Sequence, residues 1–151
     1  MDKDDIVDIL NDLIETTKDG EYGFRTSAER AHSANVKATL NSRAASCAAG
    51  AAELQALVRQ YGGEPEDDGT ALGAMHRGWV AVKAAISTSA HDDHAILAEC
   101  ERGEDKAVNT FRKAAQEPDL PADVRAVIER QLQGARANHD QVKALRDATK
   151  V

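Results

Sequence analysis

The chain has 151 residues and a formal net charge of −7, and 42% of its residues are hydrophobic although only 3% are aromatic. This length suits one domain, covering residues 1–151, that folds without disulfides or metal ions. The negative charge disfavours nucleic acid as a partner. The sequence lacks the run of roughly 18 apolar residues that a membrane span needs, so the expected location is cytoplasmic.

The first predicted helix covers residues 3–33. Its Asp-rich first turn suits the positive end of the helix dipole. Asp19 and Gly20 form a pair that often marks a turn, but the apolar spacing continues in phase across them and predicts one unbroken helix. The residues on this apolar face are Ile6, Ile9, Leu10, Leu13, Ile14, Thr17, Gly20, Phe24, Ala28 and Ala31.

The second predicted helix covers residues 35–61, and Gly62 and Gly63 end it, since glycine commonly follows a helix. An acidic loop comes next, and residues 70–88 then carry one apolar face, which predicts an amphipathic helix anchored by Trp79. The inward positions of the second helix alternate by four and three, the pattern of a bundle seam: Leu40, Ala44, Cys47, Ala51, Leu54, Val58 and Tyr61.

Two more long helices are predicted in the last part of the chain. The third covers residues 90–116, and its inward face holds Ile96, Leu97, Cys100, Glu104, Ala107, Val108, Phe111 and Ala115. A short loop with Pro118 follows, and Pro121 suits the start of the fourth helix. The inward face of that helix holds Val124, Ile128, Leu132, Ala135, His139, Val142 and Leu145.

The lengths of the connections predict how the four long helices pack. The first and second helices, and the third and fourth, are joined by short loops, so each pair is antiparallel. The long middle connection has to span the length of the bundle. Two hairpins joined by one long crossover form the ferritin-like arrangement, so the expected fold is an all-α, ferritin-like four-helix bundle.

Four segments carry a resemblance to a known family: LNDLIETTKDGEYGF at 10–24, AAELQALVRQYGGEPEDDGTALGAMHRGW at 51–79, ECERGEDKAVNTF at 99–111 and HDQVKALRD at 139–147. With these segments the chain resembles the bacterial ferritin-like four-helix-bundle proteins of unknown function, typified by a Pseudomonas member. The resemblance implies a ferritin-like fold and a bacterial origin. It implies no catalytic residue, because that family has no agreed activity.

A standard di-iron centre is not expected. Ferritin-like proteins that hold two metals use a Glu from each of two helices and a Glu-x-x-His pair from each of the other two. The Glu-x-x-His spacing occurs only once in this chain, at Glu29 and His32, whereas that arrangement needs two such pairs. Helical phase also places Glu15, Glu53 and Glu99 away from the inward faces, at exposed or flanking positions.

Five polar residues fall on or beside the inward faces: Glu21, Arg43, Glu104, Gln131 and His139. The favoured interpretation is a buried polar layer in which Glu104 pairs with Arg43, while Gln131 and His139 are hydrogen-bonded. A buried charge needs a partner, and a buried Arg suits a carboxylate better than it suits a neighbouring metal cation. The alternative is a non-standard iron or manganese site built from Glu21, Glu104 and His139.

Two further groups of residues have a simple structural interpretation. His91, Asp92, Asp93 and His94 are expected to form a solvated helix start rather than a metal site, since Asp there complements the helix dipole. The two cysteines of the chain lack metal or redox spacing and are expected to be buried, reduced thiols: Cys47 and Cys100.

The leading functional hypothesis is a non-catalytic helical bundle that acts through its surface in a bacterial stress or housekeeping setting. Its expected partner is a second copy of itself or another protein, and no cofactor is expected. A metal-binding ferritin-like protein, using iron or manganese, is the alternative. A third hypothesis is a small-molecule carrier, for which the small inward residues would leave space: Ala44, Ala48, Ala51, Ala107 and Ala135.

Overall fold

The computed structural model describes residues 1–66 and 92–149. These residues form four long helices: α1 (Lys3–Arg30), α2 (Ala34–Gln60), α3 (Asp93–Ala115) and α4 (Ala122–Ala148). Neither described range contains a β-strand, which confirms the all-α prediction. The helix predicted at residues 70–88, with His76 and Trp79, lies outside the described residues.

The turn between α1 and α2 is longer than predicted, because α1 ends at Arg30 rather than at residue 33. Ser33 is the N-cap of α2, and its hydroxyl accepts a hydrogen bond from the Val36 N–H at 3.4 Å. The N–H groups of His32 and Ser33 donate instead to the carboxylate of Asp93, at 2.8 and 2.9 Å. These bonds replace helical ones and also attach the start of α3 to the α1–α2 turn.

The continuity of α1 and the end of α2 agree with the sequence. The helix α1 runs through Asp19 and Gly20 without a break. After α2, Gly62 adopts a φ of 79°, a left-handed conformation that favours glycine, and the N–H of Gly63 donates to the carbonyl of Val58 at 3.0 Å. This bond satisfies a carbonyl group that would otherwise be unpaired at the end of the helix.

The four helices pack as two hairpins. The closest packing is between α1 and α2 and between α3 and α4, α1 also packs against α3, and the contact between α2 and α4 is sparse. This is the ferritin-like arrangement predicted from the connection lengths. Among the described helices, none has a segment that is both long and apolar enough to cross a membrane.

The hydrophobic core consists of two clusters of buried side chains. The first core cluster, on the side of the α1–α2 turn, contains Phe24, Ala28, Ala31, Val36, Leu40, Ala44, Cys47, Ile96, Leu97, Cys100 and Val142. The second core cluster, on the side of the α3–α4 turn, contains Ile6, Leu10, Leu13, Ile14, Leu54, Leu57, Val58, Phe111, Ala114, Leu120, Val124, Ile128 and Leu132. The functional candidates lie at the level where the two clusters meet.

Candidate functional site: a polar layer and a cavity in the bundle

A buried carboxylate links three helices in the middle of the bundle. Glu104 on α3 is 1% exposed. Arg43 on α2 donates to both of its oxygens, from Nε to Oε2 at 3.0 Å and from Nη2 to Oε1 at 2.7 Å. The side-chain amide of Asn138 on α4 donates to Oε2 at 2.6 Å. We call these three residues the polar layer, and the burial cost of its carboxylate is offset by three hydrogen bonds.

The guanidinium of Arg43 also contacts an aromatic ring. Its central carbon lies 5.8 Å from the centroid of the Phe24 ring on α1, a distance at which a cation is attracted to the face of the ring. The Arg43 side chain is 16% exposed. Arg43 is therefore held between the carboxylate of α3 and the ring of α1, and it connects the two hairpins.

Gln131 lies near the polar layer but makes separate bonds. Its amide donates to the carbonyl of Gly50 at 3.3 Å and to Oε1 of Glu53 at 2.8 Å, so it joins α4 to α2. Glu53 also accepts a hydrogen bond from Arg130. The Glu53 side chain is 37% exposed, in agreement with the flanking position that its helical phase predicted.

The three residues of the alternative metal site are bonded to different partners in the structure. Glu21 forms an ion pair with Arg25 of its own helix at 2.8 Å. His139 has its Nε2 atom 2.7 Å from Oδ1 of Asp105, between α3 and α4, whereas Glu104 is bonded within the polar layer. In the part of the chain that the structure describes, no three His, Cys, Asp or Glu side chains are grouped so as to hold a metal ion.

The inward position on α4 belongs to Asn138, and this corrects the expectation for His139. Asn138 is 8% exposed, whereas His139 is half-buried beside Asp105. Asn138 follows Ala135 by three positions and precedes Val142 by four, and His139 has the reverse spacing. Both spacings fit one helical face, so the periodicity contained the signal for Asn138 but did not separate it from its neighbour.

A cavity of about 610 Å³ adjoins the polar layer. Phe24 and Cys47 of the first core cluster and Phe111 of the second contribute to its walls. Each of the four helices also contributes one glycine to its lining: Gly20, Gly50, Gly103 and Gly134. A Cβ at Gly134 would meet no atom within 4 Å, whereas a Cβ at Gly20 would contact Cys47 at 3.4 Å and one at Gly50 would contact Gln131 at 3.1 Å. The sequence raised such a pocket only as a third hypothesis, because small residues also allow helices to approach closely.

The chain matches a protein family described as a domain of unknown function (DUF2383) over residues 5–117. It belongs to this family. A search of curated proteins finds no match. Among solved structures, a mutant of Mycobacterium smegmatis Dps1 is similar, with a TM-score of 0.79 and 17% sequence identity over 95% of this chain and 96% of that chain. At this identity the similarity shows the fold, and it confirms the ferritin-like four-helix bundle of this DUF2383 chain.

The acidic start of α3 has a structural role in this DUF2383 chain. Asp92 is the N-cap, and its carboxylate accepts a hydrogen bond from the Ala95 N–H at 3.2 Å. Asp93 accepts from the two N–H groups of the α1–α2 turn described above. The Nδ1–H of His94 donates to the carbonyl of Arg146 at 3.0 Å, which attaches α3 to the end of α4. His91 lies outside the described residues.

The two cysteines of this DUF2383 chain are both buried, as expected. Burial raises the pKa of the Cys47 thiol to about 12, although the nearby Arg43 guanidinium opposes this change. Burial likewise raises the pKa of the Cys100 thiol to about 12, against a smaller opposing effect of the neighbouring Ser27 hydroxyl. Because the thiolate is the nucleophile, two thiols that stay protonated at neutral pH are chemically inert.

We expect neither thiol to react with a disulfide reagent such as dithionitrobenzoate in the native protein at pH 8. That pH lies below both pKa values of about 12, so the thiolate is scarce and the folded bundle also blocks access. In guanidinium chloride both thiols of the chain are expected to react within the mixing time. The absorbance of the released thiolate measures both reactions, and rapid native reaction of either cysteine would contradict its burial.

Proposed function

We propose that this chain is a non-catalytic bundle that acts through contacts of its surface, with a second copy of itself or another protein as the partner. The observation that carries the proposal is the polar layer. Glu104 is the fully buried carboxylate of the predicted metal site, and Arg43 and Asn138 occupy its oxygens. A guanidinium at this point repels cations and takes the ligand atoms that a metal would need.

The exposed face of α2 supports self-association. It carries four alanines that are exposed and recur at helical spacing: Ala45, Ala49, Ala52 and Ala56. Small side chains allow a second helix to approach closely, and the face is free of charge at these positions. A surface of this kind suits helix-to-helix packing between two copies of the chain.

Metal analysis combined with a measurement of mass in solution tests the proposal. We expect the purified protein to contain no stoichiometric iron, manganese or zinc, and light scattering to give the mass of at least two chains. Two metal ions per chain would overturn the proposal in favour of the iron or manganese hypothesis. A single-chain mass at high protein concentration would contradict the self-association.

Charged variants locate the surface. Ala52→Glu places a charge on the exposed face of α2, and we expect it to produce the single-chain mass. Ala137→Glu adds the same charge at an exposed position of α4 and is expected to leave the mass unchanged. Equal effects of the two variants would show that added charge, rather than the α2 face, controls association. The cytoplasmic location and the bacterial stress or housekeeping role stay predictions.

A further inference from the structure

The cavity described above has the size of a ligand site. Its volume of about 610 Å³ falls within the range of roughly 300–1,000 Å³ that small-molecule sites occupy. Glycines inside helices lower helix stability, and each of the four helices places one at this cavity. A ligand that binds in this cavity has to match the chemistry of its walls.

The inner walls are partly apolar. Phe24 and Cys47 are buried on one side, Phe111 is buried on the other, and Ala107 of α3 lies at the same cavity. Aromatic and small apolar side chains favour a hydrocarbon or aromatic body, since contact removes apolar surface from water. These walls indicate that the body of the occupant is apolar.

The charged groups at the cavity fix the kind of head group. Arg43 and Glu104 form an ion pair in the polar layer, and Arg130 forms an ion pair with Glu53 at the rim. Asp19 is a buried carboxylate on α1. With Lys106, these residues are the charged residues that line the cavity. Lys106 is exposed on α3 and makes no ion pair in the described part of the chain. Its ammonium group is a cation at the rim that can donate three N–H groups to an anion.

We propose that this cavity binds a small amphipathic monocarboxylate. Its apolar body lies against Phe24 and Phe111, and its carboxylate stays at the rim, where Lys106 binds it. The buried carboxylates of Asp19 and Glu104 disfavour a second negative group deeper inside, which selects a single head group. The proposal goes beyond the surface function above, because a contact between chains requires no ligand in the cavity.

Isothermal titration calorimetry with three probes of identical hydrocarbon chain tests the head group. The probes are decanoate, decanol and decylamine, each kept below the concentration at which it aggregates. We expect saturable binding of decanoate, at least about tenfold weaker binding of decanol, and no binding of decylamine, because a hydrogen bond to a charged group contributes about 1.5–3 kcal/mol. Absence of saturable decanoate binding, or equal binding of all three, would overturn the proposal.

Two pairs of variants test the place of binding. Lys106→Met is expected to weaken decanoate binding about tenfold, and Lys113→Met, which changes an exposed lysine of the same helix outside the cavity, to leave it unchanged. A Cβ at Gly134 would meet no atom within 4 Å, and Gly134→Leu adds a larger apolar side chain at the rim of the cavity. We expect Gly134→Leu to abolish binding and Gly134→Ala to retain it.

Circular dichroism and thermal unfolding establish that each variant is folded before titration. If Lys106→Met and Gly134→Leu both bind decanoate as the parent chain does, the ligand lies elsewhere and the proposal fails. The solution mass and metal content of the parent protein are independent of this titration, so failure here leaves the proposed surface function standing.

Discussion

Replacing Glu104 with alanine is expected to lower the free energy of unfolding by about 3 kcal/mol, because removing one partner of a buried ion pair leaves the other charge uncompensated. The Arg43 guanidinium, which is 16% exposed, would lose both of its hydrogen bonds to the carboxylate, and the Asn138 amide would lose its acceptor. Denaturant unfolding followed by circular dichroism measures the change, and the folded variant should stay helical.

Two control proteins show whether the ion pair is responsible. Glu99→Ala removes the partner of Arg102 in an exposed pair on the same helix, and we expect a loss below about 1 kcal/mol. The double variant with Arg43→Met and Glu104→Leu removes both charges and is expected to recover most of the stability. A Glu104→Ala protein as stable as the Glu99→Ala protein would show that the polar layer contributes little.

The Glu104→Ala variant also distinguishes the two interpretations of Glu104, as a metal ligand or as the ion-pair partner of Arg43. If Glu104 were a metal ligand, its replacement would remove bound iron or manganese and leave a helical bundle of similar stability without metal. If Glu104 is the partner of Arg43, the variant loses stability whatever metal is supplied. Unfolding measured with and without added manganese therefore distinguishes a ligand from an ion-pair partner.

Replacing Phe24 with alanine is expected to cost about 4 kcal/mol of unfolding free energy, within the range found for Phe to Ala changes in protein cores. Phe24 is 1% exposed and belongs to the first core cluster. Its loss would remove the ring that contacts Arg43 and would enlarge the neighbouring cavity. Because Phe24 already borders this cavity, few neighbouring side chains are placed to fill the new volume. Denaturant unfolding measures this effect also.

Tyr22→Ala is the matched control for Phe24→Ala. Tyr22 lies two positions earlier on α1 and is 37% exposed, so its loss is expected to change stability by less than about 0.5 kcal/mol. Both changes remove an aromatic ring from the same helix and alter helix propensity in a similar way. Similar losses in the two variants would mean that propensity, rather than core packing at Phe24, accounts for the effect.

The fold was accessible from the sequence because the signals for it are local. Apolar residues at three-and-four spacing mark one face of each helix, Gly62 and Pro121 mark boundaries, and short loops force antiparallel pairs. The helix ends were less accessible. The end of α1 at Arg30 depends on bonds from His32 and Ser33 to Asp93, a residue sixty positions further along, and no local pattern contains that information.

The candidate site was accessible only in part. The contact of Arg43 with Glu104 followed from helical phase and from the need of a buried charge for a partner, and the structure brings the two together. Asn138 and His139 fit the inward face of α4 equally well. Which of the two is buried depends on the rotation of α4 against its neighbours. The sequence supplied the polar residue types but not the complete layer.

The sequence by itself determined that this chain forms four amphipathic helices, pairs them as two hairpins and places opposite charges on inward faces. Only the tertiary structure decided that Asn138 completes the polar layer and that a cavity lined by one glycine of each helix adjoins it. The physical reason is that periodicity records which way one helix faces. The distance and rotation between helices result from all packed side chains together.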